Sequence, residues 1–153
     1  MHSAFTLVRH ASGALGATGY RIGGAVLVEG HEVGLGDQSS FDRLRRGAAR
    51  WLEPLELEAL VVRTDARALD QWQPWPMSRS ALMAGVLHGF SDRFDHGLVS
   101  GPAGYLDFGR PSGSSPATDG LLSGAALRIV HDGAGYDHRQ KAALLAAFAG
   151  TAA

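Results

Sequence analysis

Histidine and arginine side chains stand at or just after the ends of three short apolar segments of the chain. The segments run from Ala4 to His10, from Leu57 to Thr64 and from Ala125 to His131. The side chains concerned are Arg9, His10, Arg63, Arg67 and His131. Gathered in one place, two imidazoles and several guanidiniums would form a pocket for an anion, most naturally a phosphate group, because a planar guanidinium matches two phosphate oxygens at once.

The three apolar segments predict the strands that would bring these side chains together. Each segment is short and contains β-branched residues, which is typical of a buried strand. Ligands bind at the carboxyl edge of open α/β sheets, so we expect the three strand ends to meet at that edge. A further short strand is predicted at Ala25 to Val28, before a turn near Gly30.

Helices alternate with these strands. One is predicted to begin at Ser39 or Ser40, either of which can cap it, and to end at Pro54, with Phe41 and Trp51 in its apolar stripe. The others are a short helix after Asp65, a helix from Ser78 to Phe90 and a helix from Asp137 to Ala149. This alternation predicts one α/β domain over residues 1–153, arranged as a three-layer α/β/α sandwich with a mostly parallel central sheet.

Two irregular segments interrupt the alternation. Residues 71–76 hold Trp72 and Trp75 between glutamines and prolines, and these rings either plug the core or line the mouth of a binding site. The segment from Gly97 to Gly124 is rich in glycine, serine and proline, and Tyr105 to Phe108 is its only strand-like piece. A structureless loop of that length is unusual in a compact domain, so we expect it to be functional or to conceal an edge strand.

The composition excludes several classes of protein. The 153 residues are 45% hydrophobic and 19% charged, which suits a globular chain, and the net charge of -1 gives no field that would recruit nucleic acid or an anionic membrane. The absence of cysteine excludes a disulfide framework, a thiolate nucleophile and a cysteine-based zinc site. Arg9 and His10 interrupt the first apolar run, so no signal peptide or membrane span is predicted and we expect a cytoplasmic protein.

Three motifs occur in a definite order along nearly the whole chain. They are Leu-Val-Arg-His-Ala at residues 7–11, Val-Val-Arg-Thr-Asp-Ala-Arg-Ala at residues 61–68 and Ile-Val-His-Asp-Gly at residues 129–133. In order and spacing the chain resembles the histidine phosphatase superfamily, which includes the cofactor-dependent phosphoglycerate mutases and small bacterial phosphohistidine phosphatases. The length is similar to that of the smallest members.

The resemblance implies a phosphoglycerate mutase-like fold and a definite chemistry. His10 would be the nucleophile that takes the phosphoryl group of a phosphomonoester or phosphoramidate, and Arg9, Arg67 and His131 would complete the pocket. Fixed cationic donors stabilise the charge on the transferred phosphoryl oxygens. The substrate would be a small phosphorylated molecule or a phosphoprotein, with no metal and no cofactor. The positions implied to bind substrate are Arg63, Gly16 and Gly133.

The chain also departs from the family pattern. Arg63 stands where the family usually has serine, Gly16 where it has a phosphate-binding asparagine and Gln71 where it often has threonine, while Asp132 separates His131 from the following glycine. A general acid must protonate the leaving oxygen in ordinary phosphomonoester hydrolysis. The residues predicted for this role are Asp92, which precedes Arg93, and Asp95 in reserve. Without an acid, the favoured substrates would have a good leaving group, as in phosphohistidine or an acyl phosphate.

Three alternatives remain open from the sequence. The chain is a catalytically degenerate member of the same fold that binds an anionic ligand, a phospho-ligand or a protein, or it is an unrelated α/β enzyme, or it holds a metal at His88, Asp92 or His96. Geometry distinguishes them. A phosphatase requires His10, His131, Arg9 and Arg67 to lie around one phosphate-sized site. A binding module keeps the arginines there but leaves His10 occluded or misaligned. In an unrelated fold these four residues lie far apart. The remaining histidines, His2, His31 and His138, are predicted to lie on the surface.

Overall fold

Helices and strands alternate along most of the chain in the computed structural model, which describes residues 1–72, 74–101, 104–105 and 112–151. The fold is mixed α/β. Its α-helices and strands are α1 (His2–Ala11), β1 (Gly24–Glu29), α2 (Gln38–Leu52), β2 (Glu58–Arg63), α3 (Trp75–His88), β3 (His96–Ser100), β4 (Arg128–Asp132) and α4 (His138–Thr151). No helix in these described ranges is long and apolar enough to cross a bilayer.

The strands of the described residues form two separate parallel pairs. β1 pairs with β2 from Gly24 opposite Glu58 to Glu29 opposite Arg63, and α2 makes the crossover that parallel pairing requires. β3 pairs with β4, with Ser100 opposite Asp132 at the carboxyl end. The strands predicted at 25–28, 57–64 and 125–131 are confirmed as β1, β2 and β4, each within a few residues of the expected bounds.

The strand predicted at Ala4 to His10 is wrong, because these residues belong to helix α1. A short apolar run fits a strand and a buried helix equally well, and packing decides between them. Here Phe5 and Val8 lie three residues apart, on one helical face, and are buried against Leu145 of α4. The motif residues Arg9 and His10 therefore project from the last turn of a helix, where basic side chains interact favourably with the helix dipole.

Two further features differ from expectation, and others cannot be compared because they lie outside the described residues. Strand β3 begins at His96 and continues into the glycine-rich segment, and its partner β4 lies more than 25 residues further along the chain. Of the strand-like piece at 105–108, residues 106–108 lie outside the described residues, as do the side chains of Gln71 and Trp72. The N-cap of α2 is Asp37, whose carboxylate accepts the backbone N–H of Ser40 at 3.1 Å, so neither Ser39 nor Ser40 is the cap.

The β3–β4 pair is covered on both faces. On one face, Val99 and Ile129 pack with Ala84 of α3. On the other face, α1 lies between the sheet and α4, with Phe5 completely buried at the centre of that contact. Because successive residues of a strand point to opposite faces, neighbouring residues of β4 enter different environments.

Candidate functional site

His131 and Asp132 are adjacent at the carboxyl end of β4, and their side chains lie on opposite faces of the sheet. Asp132 faces α1, where it contacts Thr6, Arg9 and His10. His131 shares its face with Ile129 and contacts Asp119, which also bonds to Ser80 of α3. The alternation of β4 therefore separates His131 from His10, which contacts Asp132 on the other face, although the resemblance placed both histidines in one pocket.

Asp132 is the centre of a buried polar cluster that we call the Asp132 cluster, made of Thr6, Arg9, His10, Asp132 and Lys141. The Thr6 hydroxyl donates to Oδ2 at 2.6 Å, while Arg9 Nη2 and His10 Nε2 lie 3.3 and 3.2 Å from Oδ1. Both carboxylate oxygens of Asp132 are thus engaged. A buried carboxylate needs such partners because an unpaired one is strongly destabilising in the interior.

His10 is held in a single ring orientation and tautomer by its two neighbours. The backbone N–H of Tyr20 donates to Nδ1 at 3.0 Å, so that nitrogen carries no proton. The proton of the neutral ring then lies on Nε2 and is donated to Asp132. Both ring nitrogens are engaged and the side chain is 2% exposed. An in-line attack on phosphorus would require His10 to break one of these two contacts.

Lys141 brings a second cation to the Asp132 cluster. This residue of α4 is 1% exposed, its Nζ donates to the carbonyl of Gly101 at 3.1 Å, and the ammonium lies 5.5 Å from the centre of the Phe5 ring. Burial lowers the pKa of Lys141, the charge of Asp132 raises it and the charge of Arg9 lowers it, with a net shift below 10.5. Of the two basic side chains, Arg9 pairs directly with Asp132, whereas Lys141 bonds to Gly101 and lies close to Gly133, the residue after Asp132.

Asp119 organises the opposite face of the sheet. This completely buried carboxylate accepts the hydroxyl protons of Ser80 and Ser114 at 2.7 and 2.8 Å, and the backbone N–H of Ser115 at 3.2 Å. His131 Nδ1 lies 2.8 Å from Oδ2. Burial raises the pKa of Asp119, but the hydrogen bonds from His131, Ser80 and Ser114 outweigh it, so the pKa lies below its ordinary value. Asp119 is therefore ionised, and Nδ1 of His131 carries a proton.

Arg63 and Arg67 lie at the other strand pair. Arg63 ends β2, where its Nε donates to Glu29 at 2.9 Å. Arg67 follows in a 3-10 helix at 66–72, donates to the carbonyl of His31 at 2.9 Å and stacks over the Trp75 ring at 4.8 Å. His31, predicted to be a surface residue, is buried and also lies against Trp75. None of these contacts involves Asp132 or Asp119.

The remaining predicted site residues have the following environments. Asp92 is exposed in the turn after α3, and Asp95 accepts a hydrogen bond from His96 at 3.0 Å. Gly16, with φ +52°, lies in a short 3-10 helix, and Gly133, with φ +83°, follows Asp132 directly. At Gly133 a Cβ atom would lie 3.2 Å from Lys141 Nζ, so a side chain there would crowd the ammonium. No group of three metal-ligating side chains occurs among the described residues.

Two residues of this region, Asp119 and Lys141, were not singled out from the sequence. Lys141 is the only lysine of the chain and sits beside an alanine- and leucine-rich stretch, which is a weak signal that it has a particular role. Asp119 lies in a segment rich in glycine and serine, where an aspartate is ordinary in a turn. The contact of Asp119 with β4 arises only from the fold.

Comparison with known proteins returned no similar family. No family model matches the chain, and neither a curated protein nor a solved structure matches it. The function of the chain is therefore inferred from the geometry of its described residues.

Proposed function

We propose that the chain binds a small oxyanion, most naturally the phosphate group of a phosphorylated molecule, at the Asp132 cluster. One observation carries the proposal: Arg9 pairs with Asp132 at 3.3 Å and the buried Lys141 Nζ lies close to Gly133, the next residue, so two basic side chains lie beside one carboxylate in a largely dehydrated place. His10 is neutral there and adds no charge. An arriving anion would balance the surplus positive charge, and burial makes such an interaction stronger than it is in water.

Arg9 supports an oxyanion in particular. Its side chain is 18% exposed, so it is the member of the cluster through which a ligand would reach the interior. Its Nε is buried and donates to no acceptor in the described part of the chain. Buried donors are normally satisfied, and an oxyanion beside the guanidinium would supply the acceptor. The site also lies at the carboxyl end of β3 and β4, the edge at which α/β sheets bind ligands.

The test is direct binding of inorganic phosphate, with sulfate and vanadate as analogues, measured by titration calorimetry at low ionic strength. Arg9→Gln is expected to weaken binding by about tenfold or more, since hydrogen bonds to charged groups contribute about 1.5–3 kcal/mol. The matched control is Arg93→Gln, because Arg93 pairs with Glu58 at the surface and should leave affinity unchanged. Equal losses in the two variants, or no binding to the folded wild type at millimolar phosphate, would overturn the proposal.

A second candidate function is the predicted phosphatase activity, with His10 as the nucleophile that the resemblance implies, because Arg9 and His10 lie together in the Asp132 cluster. His10 would have to leave its contact with Tyr20 or with Asp132 before a ring nitrogen could attack phosphorus. The phosphoryl group would form an N–P bond as the P–O bond breaks, and water would then hydrolyse the phosphohistidine. Asp92, the predicted acid, contacts neither histidine in the described structure, so an activated leaving group would be needed.

Turnover of an activated aryl phosphate by the wild type, His131→Ala and His10→Ala tests this second function. Activity that is lost in His10→Ala supports phosphoryl transfer to His10, the nucleophile implied by the resemblance. Activity that is retained in His10→Ala, whether or not it is lost in His131→Ala, contradicts that role. A folded wild type without turnover, yet with Arg9-dependent phosphate binding, leaves the chain as a binding module.

A further inference from the structure

A groove of about 390 Å³ runs between α2 and the β1–β2 sheet, away from the Asp132 cluster. Residues of α2 line it at positions 42, 45, 46 and 49, a spacing that places them on one face of the helix. Opposite them, Leu27 and Ala59 project from the same face of the sheet. The volume lies within the range of small-molecule sites in proteins.

The two ends of the groove differ in chemistry. Toward the C-terminus of α2 the lining is apolar, with Leu27, Ala49, Leu52, Leu57 and Ala59. Toward its N-terminus the lining is polar, with Asp42, Arg45 and Arg46. A helix rises 1.5 Å per residue, so the polar end is separated from Leu52 by about 10–15 Å.

The polar end carries a surplus of positive charge. Within the described ranges of the chain, neither Arg45 nor Arg46 forms an ion pair, while Asp42 already accepts a hydrogen bond from Gln38 at 2.9 Å. By contrast, Arg43, on a different face of α2, donates to Ser40. Glu53, the other acid of the lining, lies next to Leu52 at the far end of the groove, about 10 Å from Arg46 along the helix.

We propose that this groove binds a medium-chain aliphatic carboxylate, with its hydrocarbon tail on the apolar end and its carboxylate on Arg45 and Arg46. Two guanidiniums against one carboxylate leave one net positive charge, which a monoanionic head group neutralises. The tail is driven onto Leu27, Ala49 and Leu57 by removal of apolar surface from water. The site uses no residue of the Asp132 cluster, so the proposal does not depend on whether that cluster binds phosphate.

The proposal predicts the ligand preferences of the wild type, measured by calorimetry or by shifts of backbone amide NMR signals below micelle-forming concentrations. Octanoate is expected to bind at least tenfold more tightly than octylamine or acetate. Affinity is expected to rise about two- to fourfold for each methylene added between hexanoate and decanoate, since a fully buried methylene gives close to fourfold. Equal binding of octylamine, or affinity independent of chain length, would overturn the proposal.

Variants locate the site. The double variant Arg45→Gln/Arg46→Gln is expected to weaken octanoate binding at least fivefold, while Arg43→Gln/Arg50→Gln removes the same charge outside the groove and is expected to leave it unchanged. Ala59→Phe fills the apolar end and is expected to abolish octanoate binding, with an unchanged circular dichroism spectrum and thermal transition as evidence that the chain is folded. Octanoate binding that is equal in the two double variants would refute the assignment.

Discussion

The two parallel strand pairs end in different ways, although each places an acidic and a basic residue at its carboxyl edge. At β1–β2, Glu29 pairs with Arg63, whose side chain is largely exposed, so water solvates the cation. At β3–β4, Asp132 pairs with Arg9 and His10 beneath α1, and Lys141 is almost completely buried beside it. Both strand ends carry acidic and basic residues, but only one of them is covered by helices. Whether a strand end is covered therefore decides whether water solvates its charges or the charges interact strongly with one another.

The largest expected difference between the two regions is the effect on the free energy of unfolding when an apolar side chain near each strand pair is truncated. Phe5→Ala empties the fully buried contact between α1 and α4 and is expected to lower the free energy of unfolding by about 3–5 kcal/mol. Val61→Ala, on the exposed side of β2, is expected to cost less than about 1 kcal/mol. Urea unfolding of both variants measures the two values, and similar losses would show that α1 does not belong to the core.

Removal of the carboxylate beneath β4 is expected to have the next largest effect. Asp119→Ala leaves the hydroxyl groups of Ser80 and Ser114 and the ring of His131 without their acceptor, at a cost of about 3 kcal/mol. Asp95→Ala removes an exposed carboxylate paired with His96 and is expected to leave the free energy of unfolding nearly unchanged, because water screens exposed ion pairs. Denaturant midpoints of the two variants that coincide would contradict a stabilising role for Asp119.

The pH dependence follows from the same carboxylate. Because the pKa of Asp119 is lowered on folding, its contribution to stability is present above the ordinary value of 3.8 and is lost as the pH falls below that value. Urea midpoints measured between pH 5 and pH 2.5 should therefore fall more steeply for the wild type than for Asp119→Asn. Parallel curves would show that the hydrogen bonds to Asp119 do not favour its ionised form.

Neutralising one acid at each strand edge compares the two regions directly. Asp132→Asn leaves Arg9 and the buried Lys141 without a counter-charge and is expected to cost about 2–4 kcal/mol. Glu29→Gln removes the charge that pairs with the exposed Arg63 but keeps an amide oxygen that can accept the backbone N–H of Gly36, and the expected cost is about 1 kcal/mol. A larger loss for Glu29→Gln, measured by chemical denaturation, would reverse the assignment of the buried edge.

The last expected effect is seen only below neutral pH and concerns His2 at the start of α1. Burial, then the charges of Lys141 and His138, lowers the pKa of His2 from 6.5 to about 4. The unfolded chain therefore binds more protons than the folded chain between these values, and stability falls as the pH falls from 6.5 to about 4. His2→Asn should flatten this part of the stability curve, while Ser3→Ala on the same helix should not. An unchanged slope in His2→Asn would contradict the burial of His2.

The sequence determined a helix or strand well where the apolar periodicity, the length of the segment and the residues at its ends indicate the same element. The strands β1, β2 and β4 and the α2, α3 and α4 helices lie within a few residues of the predicted bounds. Apolar alternation, Pro54 after α2 and helical spacing in α4 are local properties, so a single sequence is enough to recognise them. The same reasoning indicated Arg9 and His10 as residues of interest, and the structure places both against Asp132.

Tertiary structure alone decided how these elements combine. The segment at 4–10 is a helix because Phe5 and Val8 have a partner in α4, and a seven-residue apolar run does not specify that partner. β3 forms because β4 returns beside it, a pairing across a long sequence separation that local composition does not encode. The separation of His131 from Asp132 follows from the side-chain alternation of β4 once both faces of the sheet are covered.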